Sequence, residues 1–181
     1  MNKAVFLDRD GVLNYDFGYV YAVENFQLMP SVIEALKILL DHDYKLVVIT
    51  NQAGVARGFF DESDVRILHD YMTGILKRKG VCITQVYYCP HHPEGVIPEY
   101  RLKCSCRKPD CGMIKQAQAD WNIDLNESIL VGDKESDIIA GISAGVGSNI
   151  LVESQYHTKG QSIPFDYLAR DLYDAALFAT S

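Results

Sequence analysis

Asp8 and Asp10 flank a single residue in Asp8-Arg9-Asp10-Gly11-Val12, directly after the apolar run Ala4-Val5-Phe6-Leu7. Alone, such a pair more often makes a turn or a solvated surface than a reactive site. Its company gives it chemistry. Thr50-Asn51 closes a second apolar run, Arg107-Lys108-Pro109 comes after a third, and Gly132-Asp133-Lys134-Glu135-Ser136-Asp137 comes after a fourth. Together they supply what phosphoryl transfer requires: an oxygen nucleophile, a positioned acid/base, and cations to screen the moving phosphoryl group. Asp8 is the expected nucleophile, since its attack on phosphorus gives an acyl phosphate that water can cleave. Because a carboxylate is repelled by a phosphate dianion, a catalytic Mg²⁺ is expected on Asp8, Asp133 and the backbone carbonyl of Asp10. Lys108 would neutralise phosphate oxygens and Thr50 would donate to them. Asp10 would protonate the leaving oxygen and then activate water. Asp137, one turn into a helix, is expected to be a supporting ligand or a cap and not a reactant.

Cys89-Pro90-His91 and Cys104-Ser105-Cys106 form two ligand pairs with twelve residues between them. This spacing suits a closed structural Zn²⁺ site made by Cys89, His91, Cys104 and Cys106, with His92 and Cys111 as ambiguous neighbours. Such a site would shape a loop that has no core of its own, and would set Arg107 and Lys108 in place. Cys82 is expected to be a small buried hydrophobe.

These groups need a frame. Ala4 to Leu7, Leu46 to Ile49, Ile83 to Tyr88, Ile129 to Val131 and Asn149 to Val152 are short runs rich in β-branched and aromatic residues, and they read as buried strands. Helical spacing relates Val32, Ile33, Leu36, Leu39 and Leu40, and again Val65, Leu68, Met72, Ile75 and Leu76, the second helix being capped by Asp61 and stopped at Gly80. Further helices are expected around Met113 to Trp121 and Ile138 to Ile142, and a C-terminal one through Tyr167, Leu168, Leu172 and Leu177. The alternation predicts an α/β fold, a doubly wound, Rossmann-like parallel sheet in one domain over residues 1–181 that includes the zinc-binding loop 89–111. The chemistry then falls at the carboxyl edge of the sheet, where ligands bind in such folds.

With 181 residues, 48% of them hydrophobic, the chain can bury a substantial core. A formal charge of -7 argues against nucleic acid or an anionic membrane as partner, so an anionic substrate must meet a local basic cluster. No run approaches the ~20 apolar residues of a membrane span. The start of the chain has no room for a signal peptide, and five cysteines without an export signal read as thiols or metal ligands. A cytoplasmic protein is expected, and nothing in the sequence demands more than a monomer.

The four motifs, D-R-D-G-V, T-N-Q, R-K-P and G-D-K-E-S-D, resemble in order those of the haloacid dehalogenase superfamily of phosphatases, over residues 8–137. Neither irregular segment, 9–29 or 89–111, is long enough for a separate cap domain, so the chain resembles the capless branch. That resemblance implies Asp8 as nucleophile, Asp10 as acid/base, Thr50 and Lys108 as phosphate stabilisers and Asp133 as metal ligand. The zinc loop and the opening D-R-D-G-V-L-N-Y-D-F-G-Y-V bring it nearer to members that dephosphorylate a heptose bisphosphate, in ADP-heptose and lipopolysaccharide-core or related nucleotide-heptose synthesis. Those that act on histidinol phosphate are the alternative. The resemblance further implies that Asp16, Phe17, Gly18, Tyr19, Thr50, Asn51, Gln52, Ala53 and Gly54 line the substrate site, with Arg107, Lys108 and Lys134 meeting its phosphates. A phospho-accepting receiver module is disfavoured, because the third strand leads into Cys89 and not to an acceptor aspartate.

Overall fold

The computed structural model describes residues 1–154 and 163–181. Among the described residues six strands lie parallel: β1 (Lys3–Leu7), β2 (Tyr44–Asn51), β3 (Gln85–Cys89), β4 (Ile129–Gly132), β5 (Ser148–Val152) and β6 (Tyr167–Ala169). Their order in the sheet is β3-β2-β1-β4-β5-β6. The central strands β1 and β4 read as apolar runs because both of their faces are covered. Val5 and Leu7 point to one core with Leu46, Val48, Val131 and Ile150, which is closed by α1 (Val32–Asp41), α2 (Glu62–Arg78) and α5 (Leu172–Ala179). Ala4 and Phe6 point to the other with Val47, Ile49, Leu130 and Leu151, beneath α3 (Gly112–Trp121) and α4 (Glu135–Ala144).

Local chemistry sets the ends of the elements. Asp61 accepts from the backbone N–H of Ser63 at 2.7 Å and of Asp64 at 3.1 Å, while Asp64 accepts from Asp61 N–H at 3.0 Å, so α2 begins with a reciprocal cap. Gly80, at φ +82°, lets the chain turn out of that helix. Chain direction across the sheet reverses between β1 and β4, which opens a crevice at their carboxyl ends. Asp8 and Asp133 stand at its two sides.

The C-terminal segment differs from expectation. Tyr167 and Leu168 belong to β6, paired with Ile150 and Leu151, and the helix starts only at Leu172, where Asp171 caps it by accepting from Asp174 N–H at 2.8 Å. A three-residue strand is too short to show a period, and its apolar residues counterfeited the helical stripe. Cys82 is exposed, which corrects its expected burial, because β3 joins the sheet only at Gln85.

Candidate active site and metal cluster

Lys108 is the pivot of the crevice. Its ammonium, 3% exposed, donates to Asp8 Oδ1 at 2.8 Å and to the carbonyl of Ile49 at 2.8 Å, and it pairs with Asp137 Oδ1 at 2.7 Å. Burial alone would drive the proton off, but the carboxylates of Asp137 and Asp8 outweigh it and hold the lysine charged. The backbone of Lys108 is pinned as well: its N–H donates to Asn51 Oδ1 and its carbonyl accepts from Asn51 Nδ2, both at 3.0 Å. Asn51 thus commits its side chain to holding the lysine against the end of β2.

Asp8, Asp133 and Asp137 are buried, each with a carboxylate oxygen within 4.8 Å of the others. Both oxygens of Asp133 are buried without a hydrogen-bond partner. Burial, the Asp8 charge and then Asp137 push the Asp133 carboxyl up to about 8, although Lys134 and Lys108 oppose the shift. Three crowded carboxylates with orphaned oxygens fit a hard divalent cation such as Mg²⁺. The fit depends on Gly11, which has φ +94° and whose Cβ, if it had one, would lie 2.3 Å from Asp133 Oδ2. Asp137, expected as a supporting ligand or a cap, lies in the carboxylate set, and the Asp10 side chain, of which only the backbone carbonyl was expected on the metal, lies outside it. Asp137 also caps α4, its Oδ2 accepting from Lys134 N–H at 3.0 Å.

Asp10 is held by donors on both oxygens. Arg9 Nε and Asn14 Nδ2 reach Oδ1 at 3.2 and 2.9 Å, Arg9 Nη2 reaches Oδ1 at 3.0 and Oδ2 at 2.9 Å, and Gln52 Nε2 reaches Oδ2 at 3.2 Å. Gln52 Nε2 also donates to Thr50 Oγ1 at 2.9 Å, which leaves the Thr50 hydroxyl proton available to a phosphate oxygen. The partners of Asp10 were not recognisable from the sequence. Arg9, between two aspartates, reads as a surface residue and is wholly buried.

Outside the buried centre lies an open cleft of about 530 Å³, lined by Asp10, Asp16, Gly18, Tyr19, Asn51, Gln52, Ala53, Arg107, Lys108 and Lys134. Thr50 faces the inner pocket beside Asp8. Lys134 Nζ donates to Asp16 Oδ2 at 3.1 Å, which ties the loop after β1 to the start of α4. Burial disfavours the Lys134 charge, yet Asp8, Asp133 and Asp16 hold its pKa above the ordinary lysine value. Two expected lining residues stand apart. Phe17 is exposed and stacks on Tyr15 at 5.8 Å between ring centroids, and Gly54 lies against the Phe60 ring, 2.0 Å from where its Cβ would be. Ser136 lines both pockets and was not among the expected site residues; its place at the start of α4, beside Asp133, was the available signal.

A second group of metal-ligating side chains lies beyond β3. Cys89, His91, Cys104 and Cys106 offer ligand atoms within 4.8 Å of one another. Cys89 Sγ is 3.4 Å from Cys104 and 3.0 Å from Cys106, Cys104 and Cys106 are 3.2 Å apart, and His91 Nδ1 is 3.6 and 3.5 Å from Cys89 and Cys106. These separations far exceed the ~2.05 Å of a disulfide. They approach the edge of a tetrahedron with ~2.3 Å metal–sulfur bonds. Burial and the neighbouring Cys106 push the Cys89 thiol up, a penalty on the thiolate that a shared dication would relieve. His92, which accepts from Glu94 N–H, and Cys111, which precedes α3, stand outside the cluster. The loop is tied to α2 through Glu62, which accepts from Tyr88 Oη and, at 2.9 Å, from Tyr100 Oη.

Known proteins share this architecture. The HAD-hydrolase-like family model matches residues 105–175. The chain is 45% identical over 175 residues to the D-glycero-β-D-manno-heptose-1,7-bisphosphate 7-phosphatase of Haemophilus influenzae, covering 96% of this chain and 95% of that protein. It is 46% identical over 156 residues to the α-anomer 7-phosphatase of Photorhabdus laumondii, covering 86% and 85%. The D,D-heptose 1,7-bisphosphate phosphatase of B. bronchiseptica, solved with magnesium and phosphate, superposes with a TM-score of 0.84 at 29% identity, covering 97% of each chain.

Proposed function

The chain belongs to the haloacid dehalogenase-like phosphatases, within their D-glycero-D-manno-heptose-1,7-bisphosphate 7-phosphatase group, and from that premise we propose that it hydrolyses the 7-phosphate of this bisphosphate to leave heptose 1-phosphate, by way of an aspartyl phosphate on Asp8. The observation that carries the mechanism is the buried triangle of Asp8, Asp133 and Asp137 braced by Lys108 beside the acid/base candidate Asp10. Lys108 fixes one oxygen of Asp8 and so orients the carboxylate for attack. As the Asp8 oxygen bonds to phosphorus, the phosphorus bond to the sugar oxygen breaks and that oxygen takes a proton from the Asp10 carboxyl. Water then attacks phosphorus, gives its proton to Asp10, and releases phosphate as the bond to Asp8 breaks. Thr50 donates to a phosphoryl oxygen throughout. Mg²⁺ held by Asp8, Asp133 and Asp137 would supply the positive charge that lets a carboxylate meet a phosphate dianion.

Arg107, Lys108 and Lys134 concentrate positive charge along one cleft of an acidic protein, which suits a substrate carrying a second phosphate. Zinc at Cys89, His91, Cys104 and Cys106 would keep the Arg107 end of that cleft in place. Phosphate release from the bisphosphate, followed with Mg²⁺ and after its removal by gel filtration into magnesium-free buffer, which leaves tightly held zinc in place, tests the reading. Turnover is expected only with Mg²⁺ restored; undiminished turnover without it would refute the metal assignment.

A further inference from the structure

Arg9 is among the largest fully buried side chains of the described residues, and the reaction as derived gives it no part. Placing a guanidinium where water cannot reach it costs several kcal/mol unless its donors are met. They are met by acceptors from four parts of the chain, Gln52 Oε1 at 3.4 Å among them. Nη2 and Nε grip Asp10, Nη2 also donates to the carbonyl of Val20 at 2.6 Å, and Nη1 lies 3.1 Å from Nε2 of His69 on α2. Guanidinium has no acceptor, so His69 must present a bare lone pair at Nε2 and remain neutral. Its burial, then the Arg9 charge, lower its pKa to about 3, in keeping with that state.

We propose that Arg9 is the positioning residue of the acid/base carboxylate and that neutral His69 holds Arg9 in place, so that a helix remote from the substrate sets the angle at which Asp10 meets the leaving oxygen. The inference rests on the reading of Asp10 as acid/base. The planar fork fixes both oxygens of Asp10, which a lysine ammonium cannot do. The Val20 contact joins the same guanidinium to the loop that carries Asp16 and Tyr19.

The test compares Arg9→Lys, His69→Leu and His69→Gln with Asp10→Asn on two substrates: the heptose bisphosphate, whose alkoxide needs a proton to leave, and p-nitrophenyl phosphate, whose phenolate does not. For both substrates kcat/KM reports steps up to transfer of the phosphoryl group to Asp8. Arg9→Lys and His69→Leu are expected to lower kcat/KM on the bisphosphate about 10- to 100-fold, part of the 10²- to 10⁴-fold that a positioned acid/base supplies. On the aryl phosphate the loss should stay under about threefold, since no proton is needed there. His69→Gln, which keeps an acceptor for Arg9, should recover most of the activity lost in His69→Leu. Equal losses on both substrates, or His69→Gln no better than His69→Leu, would overturn the positioning role. Should Arg9→Lys not fold, the His69 pair decides the question. Near-normal turnover of the bisphosphate by Asp10→Asn would instead remove the acid/base reading, and this inference with it.

Discussion

Asp8→Asn keeps the shape of the side chain and removes the charge that attacks phosphorus, so phosphate release should fall to background while the circular dichroism spectrum stays native. Asp10→Asn should cost roughly 10²- to 10⁴-fold in kcat. At this scale the sequence was legible where a residue type is itself the chemistry. Asp8 and Asp133 could be picked out because each follows a strand directly, and Lys108 because a cation in company with such carboxylates can screen a phosphate. Roles that depend on where a side chain turns were not legible. Asp137, read from the sequence as a supporting ligand or a cap, both caps α4 and adds its carboxylate to the buried triangle, while the grip of Arg9 on Asp10 had no signal in the sequence. Asn51, expected to line the substrate site, does line the cleft, but that its amide also holds the backbone of Lys108 could not be read from its type.

The loop from Cys89 to Cys111 packs little apolar surface of its own and brings four ligand side chains together, so zinc would hold its shape and about one zinc per chain is expected by metal analysis. In Cys104→Ser, hydrogen exchange should quicken across residues 89–111, and activity should fall through Arg107 and Lys108 at the end of the same loop. Unchanged exchange and no bound zinc would count against the site. The elements that reward a periodic pattern were readable: α2 with its Asp61 cap, and the four strands of the sheet centre, whose buried faces leave continuous apolar runs. Short elements were not, because β6 has too few residues to carry a period and takes its strand identity from pairing with β5. Removal of residues 167–181 therefore should not behave as the trimming of a tail. It would strip Ala169, Leu172, Ala175 and Ala176 from the core and bare the edge of β5, so a loss of at least about 3 kcal/mol in urea denaturation is expected, on the scale of burying one or two large apolar side chains. A truncated chain of unchanged stability would contradict that packing.

Across the whole molecule, a charge of -7 surrounds a cleft that gathers Arg107, Lys108 and Lys134. That contrast suits a polyanion entering at one place, and among the described residues no helix is long and apolar enough to cross a membrane. Arg107 should matter most when the substrate carries two phosphates: Arg107→Ala is expected to lower kcat/KM on the bisphosphate about 10- to 100-fold more than on a small monophosphate, as the loss of a charged hydrogen bond of ~1.5 to 3 kcal/mol requires. Equal losses on the two substrates would detach Arg107 from the second phosphate. The most direct test of the whole account is the identity of the first sugar product when wild-type enzyme with Mg²⁺ is offered D-glycero-D-manno-heptose 1,7-bisphosphate and histidinol phosphate in separate reactions. The account predicts rapid release of one phosphate from the bisphosphate to leave heptose 1-phosphate, with histidinol phosphate turned over far more slowly. Heptose 7-phosphate as the first product, or a preference for histidinol phosphate, would contradict it.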